Sequence, residues 1–308
     1  MSVAGPSGER ALVVGLAGAG PWARRFTAPI LAAGPETRLG GVWSRTASSA
    51  QRLAARHGVP AFDRYEDLVE ACEAVACAVA PAAQVDLAVE AARRGRAVLL
   101  EKPIADTLDR ARYLTDAVGD AGVGSLVVLT LRLDGSFDAF ADACRAVRPS
   151  AAWAWWRSDA FTAAVATSPW RAEAGMVLDV GPHVASIVEP VLGPVVAVAG
   201  TRRDPATVAL SFRHDDGVSS AVLAGTEAGG HDVGLGVSGA GGGLTYVPGP
   251  GDGSARAAGL RQGLVAAARG TGAADLDVRY GLHVQAVVDA AERALAGDGW
   301  VTVADIGG

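Results

Sequence analysis

The chain has 308 residues with 27 Lys+Arg against 33 Asp+Glu, a net charge of −6 and a pI near 5.4, and half of its residues are hydrophobic. An acidic chain whose longest basic runs are pairs such as Arg202-Arg203 excludes electrostatic capture of nucleic acid or of an anionic membrane surface, and no continuous apolar run approaches the ~18 residues of a membrane span. The length suits two domains, while three cysteines (Cys72, Cys77, Cys144) without a CxxC spacing point to core filler, a reducing cytoplasm and no metal site.

Ala11 to Val14 reads as a strand, and Gly15 to Ala23 as a glycine turn opening a helix to Ala33. The same run imitates a signal-peptide core, but Glu9 spoils the basic leader such a core needs. Gly18-x-Gly20-x-x-Ala23 matches the dinucleotide fingerprint. Gly18 permits the tight turn, Gly20 lets a pyrophosphate approach the backbone, and Ala23 lets helix and strand lie close. Gly18, Ala19, Gly20, Pro21 and Trp22 are therefore candidate cofactor contacts.

A second strand, Arg38 to Trp43, ends in Ser44-Arg45-Thr46, where an NAD-binding fold carries an acid for the ribose hydroxyls. A hydroxyl and an arginine suit a 2′-phosphate instead, so NADP(H) is expected in preference to NAD(H). The alternative is that Ser44 only caps the helix from Ser48 to Arg56. Helix Tyr65 to Cys72, strand Ala74 to Val79, Ala80-Pro81 and helix Val85 to Arg94 continue the alternation of a parallel, doubly wound sheet. The next strand, Ala97 to Leu100, leads into Glu101-Lys102-Pro103. Lys102 is the only lysine among the 27 basic residues. It stands at a strand end where such sheets place ligand chemistry, in a chain that uses arginine for every other purpose.

From Ser125 longer strands are expected: Leu126 to Leu133, Ala151 to Arg157, Val195 to Arg202, Thr207 to Arg213, Ser219 to Gly225 and Val233 to Val237. Alternation at Val208, Leu210 and Phe212 fits an antiparallel sheet with one covered face. Gly239 to Gly243 reads as a hairpin and Pro248 to Ser254 as a mobile loop. Helices Ala255 to Arg269 and Arg279 to Ala296 and a strand Trp300 to Val303 complete the chain. Pro182 predicts a helix beginning near Val180, with Asp179 and His183 on one face as a proton-handling pair. His57, His214, His231 and His283 have no such partner. Arg132, Trp155, Arg157, Trp170 and Arg171 are candidates for a substrate wall, although Trp153 or Trp155 could equally be core, depending on strand register.

With GxGxxA, Glu101-Lys102-Pro103 and Asp179-x-Gly181-x-His183 in this order, the chain resembles the Gfo/Idh/MocA oxidoreductases nearly end to end. Trp170-Arg171, Gly239 and Gly242 in the hairpin, and the helix before Trp300-Val301 fall where that family has similar residues. The resemblance implies an N-terminal Rossmann dinucleotide-binding domain (1–124) and a C-terminal α+β domain (125–308) with a large open, mainly antiparallel sheet used for oligomerisation. A homodimer or homotetramer acting on a small-molecule substrate is expected. It implies Lys102, Asp179 and His183 as the catalytic group and Gly18, Gly20, Pro81, Glu101 and Lys102 as cofactor contacts. Ala80-Pro81-Ala82 and Val85 depart from the family's Thr-Pro-Asn and following His, and Ser186 replaces an Asp three residues after the catalytic His. The expected function is an NADP-dependent oxidoreductase on a secondary alcohol or ketone of a sugar, cyclitol or related polyol. Its alternatives are a non-catalytic NAD(P)-binding sensor and an imine or linear-tetrapyrrole reductase.

Overall fold

The computed structural model describes residues 10–159, 169–226, 229–249, 253–271, 275–297 and 299–306, with the side chains of 169–174 excepted. Strands β1 (Leu12–Ala17), β2 (Thr37–Trp43), β3 (Ala74–Cys77), β4 (Ala97–Leu100) and β5 (Ser125–Val127) form a parallel sheet in the order β2-β1-β3-β4-β5. The run that imitates a signal core is β1, buried at every residue. A strand covered on both faces needs apolar residues throughout, which is why alternation is absent there. Leu12, Val14 and Leu16 pack toward one face with residues of α1 (Ala28–Ala32) and α2 (Ala47–His57). Val13, Val75 and Val98 pack toward the other with α3 (Tyr65–Ala71), α4 (Pro81–Arg93) and α5 (Leu108–Ala121). All three cysteines are buried, and burial pushes the Cys72 thiol up to about 11 and Cys77 to about 12, so neither is a thiolate at neutral pH.

The expected strand Leu126 to Leu133 is corrected. Only Ser125–Val127 pairs, with β4, and Thr130–Arg132 is a 3-10 turn followed by α6 (Ser136–Val147). The apolar run has another origin: Leu129, Leu131 and Leu133 are each buried in a different one of three hydrophobic clusters, because the segment threads the junction between them. Since β5 closes the first sheet, a boundary at 124/125 separates a strand from the sheet it pairs with.

The second sheet contains β6 (Pro149–Ser158), β7 (Ala197–Asp204), β8 (Thr207–Arg213), β9 (Val218–Gly225), β10 (His231–Gly239), β11 (Gly242–Tyr246) and β12 (Val301–Thr302), in the order β11-β10-β6-β9-β8-β7-β12. Every pair is antiparallel except β6 with β9. The glycine-rich stretch is the expected hairpin, with Gly239 opposite Gly242. Of the expected loop at Pro248 to Ser254, residues 250–252 lie outside the described residues. Helices α7 (Pro169–Leu192), α8 (Gly253–Arg269) and α9 (Val278–Ala296) complete the fold. The stretch Gly175–Leu192 has the length and mean hydropathy of a membrane span, but 67% of it is buried in the second core. Helix α9 belongs to both cores: Val278 and Leu282 pack with the first sheet, and Val284, Val287, Val288 and Ala291 with the second.

Candidate active site

The topology reverses at β1, which has β2 on one side and β3 on the other, so the crevice at the carboxyl ends of these strands is where a ligand is expected. The glycine turn lies there. Gly18 has φ of 121°, and a Cβ on it would come within 2.3 Å of the Ala78 carbonyl oxygen, so both backbone conformation and space require glycine. Its N–H donates to the Trp43 carbonyl, tying the turn to the end of β2 (2.8 Å). At Gly20 a Cβ would meet nothing within 4 Å, which leaves open space before the turn for a phosphate to approach the backbone. The residues present therefore fit a dinucleotide. Trp22 stacks on Phe26 (4.5 Å between centroids) and donates its indole N–H to Glu101 Oε1 (2.6 Å), joining the turn to the end of β4.

Lys102 follows Glu101 on a loop held from beneath. Gln84 of α4 is fully buried; its Nε2 donates to the carbonyls of Glu101 (2.8 Å), Ile104 (3.1 Å) and Pro103 (3.3 Å), and its Oε1 accepts from the Glu101 N–H (2.8 Å). The lysine ammonium then reaches across to α7, donating to Asp179 Oδ1 (2.7 Å) and to the Asp179 carbonyl (2.6 Å). The two side chains are only 12% and 16% exposed, so solvent screens this pair much less than a surface one. Two donors are used, and Lys has a third.

Helix α7 differs from the expected element. It does not begin near Val180: Gly175, at φ 72° and ψ 177°, breaks it, and the second segment runs on through Pro182 and Pro190. Pro182 supplies no N–H to the preceding turn, and in that turn the Asp179 carbonyl accepts from Lys102. Asp179 thus pairs with the lysine from the other domain. One turn on, His183 is buried with its ring stacked on Trp156 of β6 (5.2 Å, 15°), and the opposite contact of that indole is edge-on with His231 (5.3 Å, 84°).

Residues 11–128 match the family described as "Oxidoreductase family, NAD-binding Rossmann fold", Gfo/Idh/MocA. Over that stretch the chain is similar to the NAD-binding domain of the Gfo/Idh/MocA oxidoreductases. The whole chain shares its fold with solved structures of low identity. GenD2 from gentamicin A biosynthesis, in complex with NAD, superposes with a TM-score of 0.83 at 20% identity over 99% of this chain and 100% of that one. Scyllo-inositol dehydrogenase from Lactobacillus casei, with NAD(H) and scyllo-inositol, gives 0.81 at 17% over 96% and 100%. The WlbA dehydrogenase from Bordetella pertussis, with NADH and UDP-GlcNAcA, gives 0.82 at 18% over 96% and 100%.

Several expected site residues lie away from the Lys102–Asp179 pair. Ala152, Ala154 and Trp156 face inward on β6, so Trp153, Trp155 and Arg157 point to the outer face. There the indoles of Trp153 and Trp155 lie across Gly236 and Gly234 of β10, and Trp155 donates to Asp232 (2.9 Å). Arg132 bonds with Asp138 (3.2 Å) and the Ser186 carbonyl (3.2 Å), lies over the Phe137 ring, and lines a cavity between α5 and α8. Ser186 donates to the His183 carbonyl (2.8 Å) within its own helix. The side chains of Trp170 and Arg171 lie outside the described residues. Pro81 is buried at the first turn of α4, where Ala80 provides no side-chain cap, and Val85 packs in the core. Ser44 bonds with the backbone of Thr46 (3.2 Å) rather than capping α2, and Arg45 is exposed beside it. This cavity of about 650 Å³ between α5 and α8 is lined by none of Lys102, Asp179 and His183.

One histidine set aside from the sequence has a carboxylate partner after all. His283 Nε2 meets Glu189 Oε1 at 2.5 Å, while Tyr280 donates to Glu189 Oε2 (2.9 Å) and the Val195 N–H to Oε1 (3.0 Å). The Glu189 hydrogen bond holds the His283 pKa above its ordinary 6.5. A His with a raised folded pKa contributes stability that is full below about pH 6.5 and lost as pH climbs through the raised value. Melting temperature is expected to fall across that window and to be flatter in His283→Gln. Thermal melts over a pH series test this, and identical slopes in the two proteins would rule the pair out.

Proposed function

We propose that the protein is a nicotinamide-dinucleotide dehydrogenase or reductase interconverting a secondary alcohol and its ketone on a sugar, cyclitol or related polyol, with NADP(H) preferred over NAD(H). The observation that carries the reading is the Lys102–Asp179 pair at the carboxyl edge of the parallel sheet, joined to the glycine turn through Glu101 and Trp22. When bound, the dinucleotide supplies or accepts the hydride at nicotinamide C4. Gly18, Ala19, Gly20, Pro21 and Trp22 would hold its phosphates, Ser44 and Arg45 its adenosine ribose, and Pro81, Glu101 and Lys102 its nicotinamide half. Asp179 holds the ammonium by two bonds and leaves its third N–H for the substrate oxygen. Lys102 polarises the carbonyl in reduction and stabilises the alkoxide in oxidation. His183, fixed in its ring plane by Trp156, gives that oxygen a proton in one direction and removes it in the other. Keto-sugars and inososes tested for NADPH oxidation, and the matching polyols for NADP reduction, check the reading. Tight dinucleotide binding without turnover of any of them would support the sensor instead.

The solved neighbours named above carry NAD, NAD(H) or NADH, and the NADP reading rests on this chain's own Ser44-Arg45 and the missing acid. A charge-assisted hydrogen bond contributes roughly 1.5–3 kcal/mol, so Arg45→Ala is expected to lower the NADPH:NADH affinity ratio roughly 10- to 100-fold. Equal dissociation constants in the unmutated protein would refute the preference. The three buried free thiols support a reducing compartment.

We also propose a homo-oligomer through the outer face of the second sheet. Trp153, Val218 and Val222 are 47%, 56% and 54% exposed there, with Trp155 opposite Val222 and Ala151 opposite Val218, an apolar patch that water disfavours. Light scattering at micromolar concentration is expected to give a multiple of 31.0 kDa; a monomer mass would refute it.

A further inference from the structure

Where the two domains meet beside the lysine, Lys102, Pro103 and Ile104 face Pro182 of α7 and Gly281 and Gln285 of α9 across a small cavity. About 10 Å³ of it is open to the centre of a water molecule, room for one water, and the rest of its lining is aliphatic. Gly281 brings α9 this near: a Cβ on it would lie 2.8 Å from Ile104 Cγ2 and 3.0 Å from Val127 Cγ2. One turn on, along the same helical face, stands Gln285. It is 3% exposed and has the one polar side chain among the buried residues of α9. Among the described residues its Oε1, shut off from solvent, accepts no hydrogen bond. An amide oxygen buried without a donor costs stability, so one retained in a packed core calls for a partner.

The facing wall narrows that partner. Gln84 donates to the carbonyls of Glu101, Pro103 and Ile104, and the Lys102 carbonyl is not among the three. Two acceptor oxygens cannot bond to each other, whereas a molecule with two hydrogens satisfies both. The neighbouring ammonium disfavours a metal cation, and acceptor oxygens disfavour an anion, which leaves a neutral donor of one heavy atom. We infer that the cavity binds one water, which donates one hydrogen to Gln285 Oε1 and the other to the Lys102 carbonyl, and that Gln285 is thereby a positioning residue for Lys102; this second part rests on the dehydrogenase reading above. The segment from Glu101 to Ile104 is then gripped from both sides, directly by Gln84 of α4 and through the water by Gln285 of α9. The second grip ties the lysine to the helix whose Tyr280 and His283 hold Glu189 on α7, so one strut sets the lysine against Asp179.

A crystal structure of the wild-type protein that resolves ordered water tests the site, with one water expected in contact with both Gln285 Oε1 and the Lys102 carbonyl. Gln285→Leu, close in volume and without an acceptor, is expected to lose that water and to let the lysine segment shift, so that the ammonium no longer meets both Asp179 oxygens. Its kcat is expected to fall roughly 10- to 100-fold with KM and the dinucleotide dissociation constant near wild type, the cost of a misplaced group rather than of lost binding. Gln285→Glu, whose buried carboxyl stays neutral and keeps an acceptor oxygen, is expected to restore the water and most of the turnover. A wild-type structure in which the Gln285 amide bonds the Lys102 carbonyl directly, or in which no water lies between them, overturns the bridge. If Gln285→Leu melts higher than wild type and keeps its kcat, the amide is dry and without a task, and the positioning role is overturned. If wild type turns over no alcohol or ketone, the dehydrogenase reading fails by itself; the crystal structures of wild type and Gln285→Leu still decide the water and whether it places the lysine.

Discussion

Replacing Lys102 with arginine is expected to leave folding and dinucleotide binding intact while depressing kcat roughly 10²- to 10⁴-fold, the usual contribution of a positioned acid-base group. Arginine keeps the charge, so a lysine that only balances Asp179 or attracts phosphates would tolerate the change. The observed geometry makes other demands. The ammonium fits between a carboxylate oxygen at 2.7 Å and a carbonyl of the same residue at 2.6 Å, in a site that leaves its side chain 12% exposed. A planar guanidinium is wider, cannot turn its donors independently, and does not give up a proton near neutral pH. Lys102→Met is expected to be at least as slow, and His183→Ala to fall in the same range. The double variant should lose less than the product of the two, because groups acting on one oxygen are not additive. Steady-state turnover on a substrate found by screening, beside dinucleotide titration, is the measurement. Near-wild-type kcat in Lys102→Arg would remove this lysine from the chemistry.

Gln84→Leu is expected to cost about 3 to 5 kcal/mol of stability, since one buried amide serves three carbonyls and an N–H and each orphaned group costs roughly 1–3 kcal/mol. Leucine matches the side-chain volume and leaves the α4 packing undisturbed, so the loss reports hydrogen bonding rather than a cavity. The four bonds hold the segment from Glu101 to Ile104, and Lys102 is inside it. Turnover should therefore fall at temperatures where the variant is still folded. That fall should appear in kcat more than in KM, because the residue positions the lysine and touches no substrate. Denaturant unfolding with matched kinetics tests both parts. A stability change under about 1 kcal/mol would show that water or backbone movement replaces the clamp.

The parallel strands and the glycine turn were legible because continuous apolar runs and glycine spacing express constraints local to a few residues. Lys102 was legible for a different reason, its rarity beside a strand end. Gln84 was visible in principle. Pro81, Val85 and Ala88 make a buried stripe at helical spacing, and a glutamine inside that stripe signals a polar group with an internal task. Trp156 was not legible, because hydrophobicity favours burying the Trp153/Trp155 face over one made of alanines. The opposite register wins because α7 packs on the sheet where Ala152 and Ala154 leave room, and Gly234 and Gly236 let the outer indoles lie flat. The Glu189–His283 pair joins residues 94 apart, and no local pattern announces such a contact. The segment after β5 misled because its leucines serve three clusters at once, which mimics the density of a strand.

Helix α9 carries a consequence for motion. Its first turns are buried with the parallel sheet and its middle with the second sheet, while Tyr280 and His283 hold Glu189 on the helix that also carries Asp179 and His183. A hinge between the two domains would have to bend or strip this shared strut, so the jaws of the crevice are cross-braced rather than articulated. On the proposed mechanism, substrate entry would then rely on rearrangement of side chains and short segments at the rim, with the walls that carry the lysine and the histidine kept at a fixed spacing.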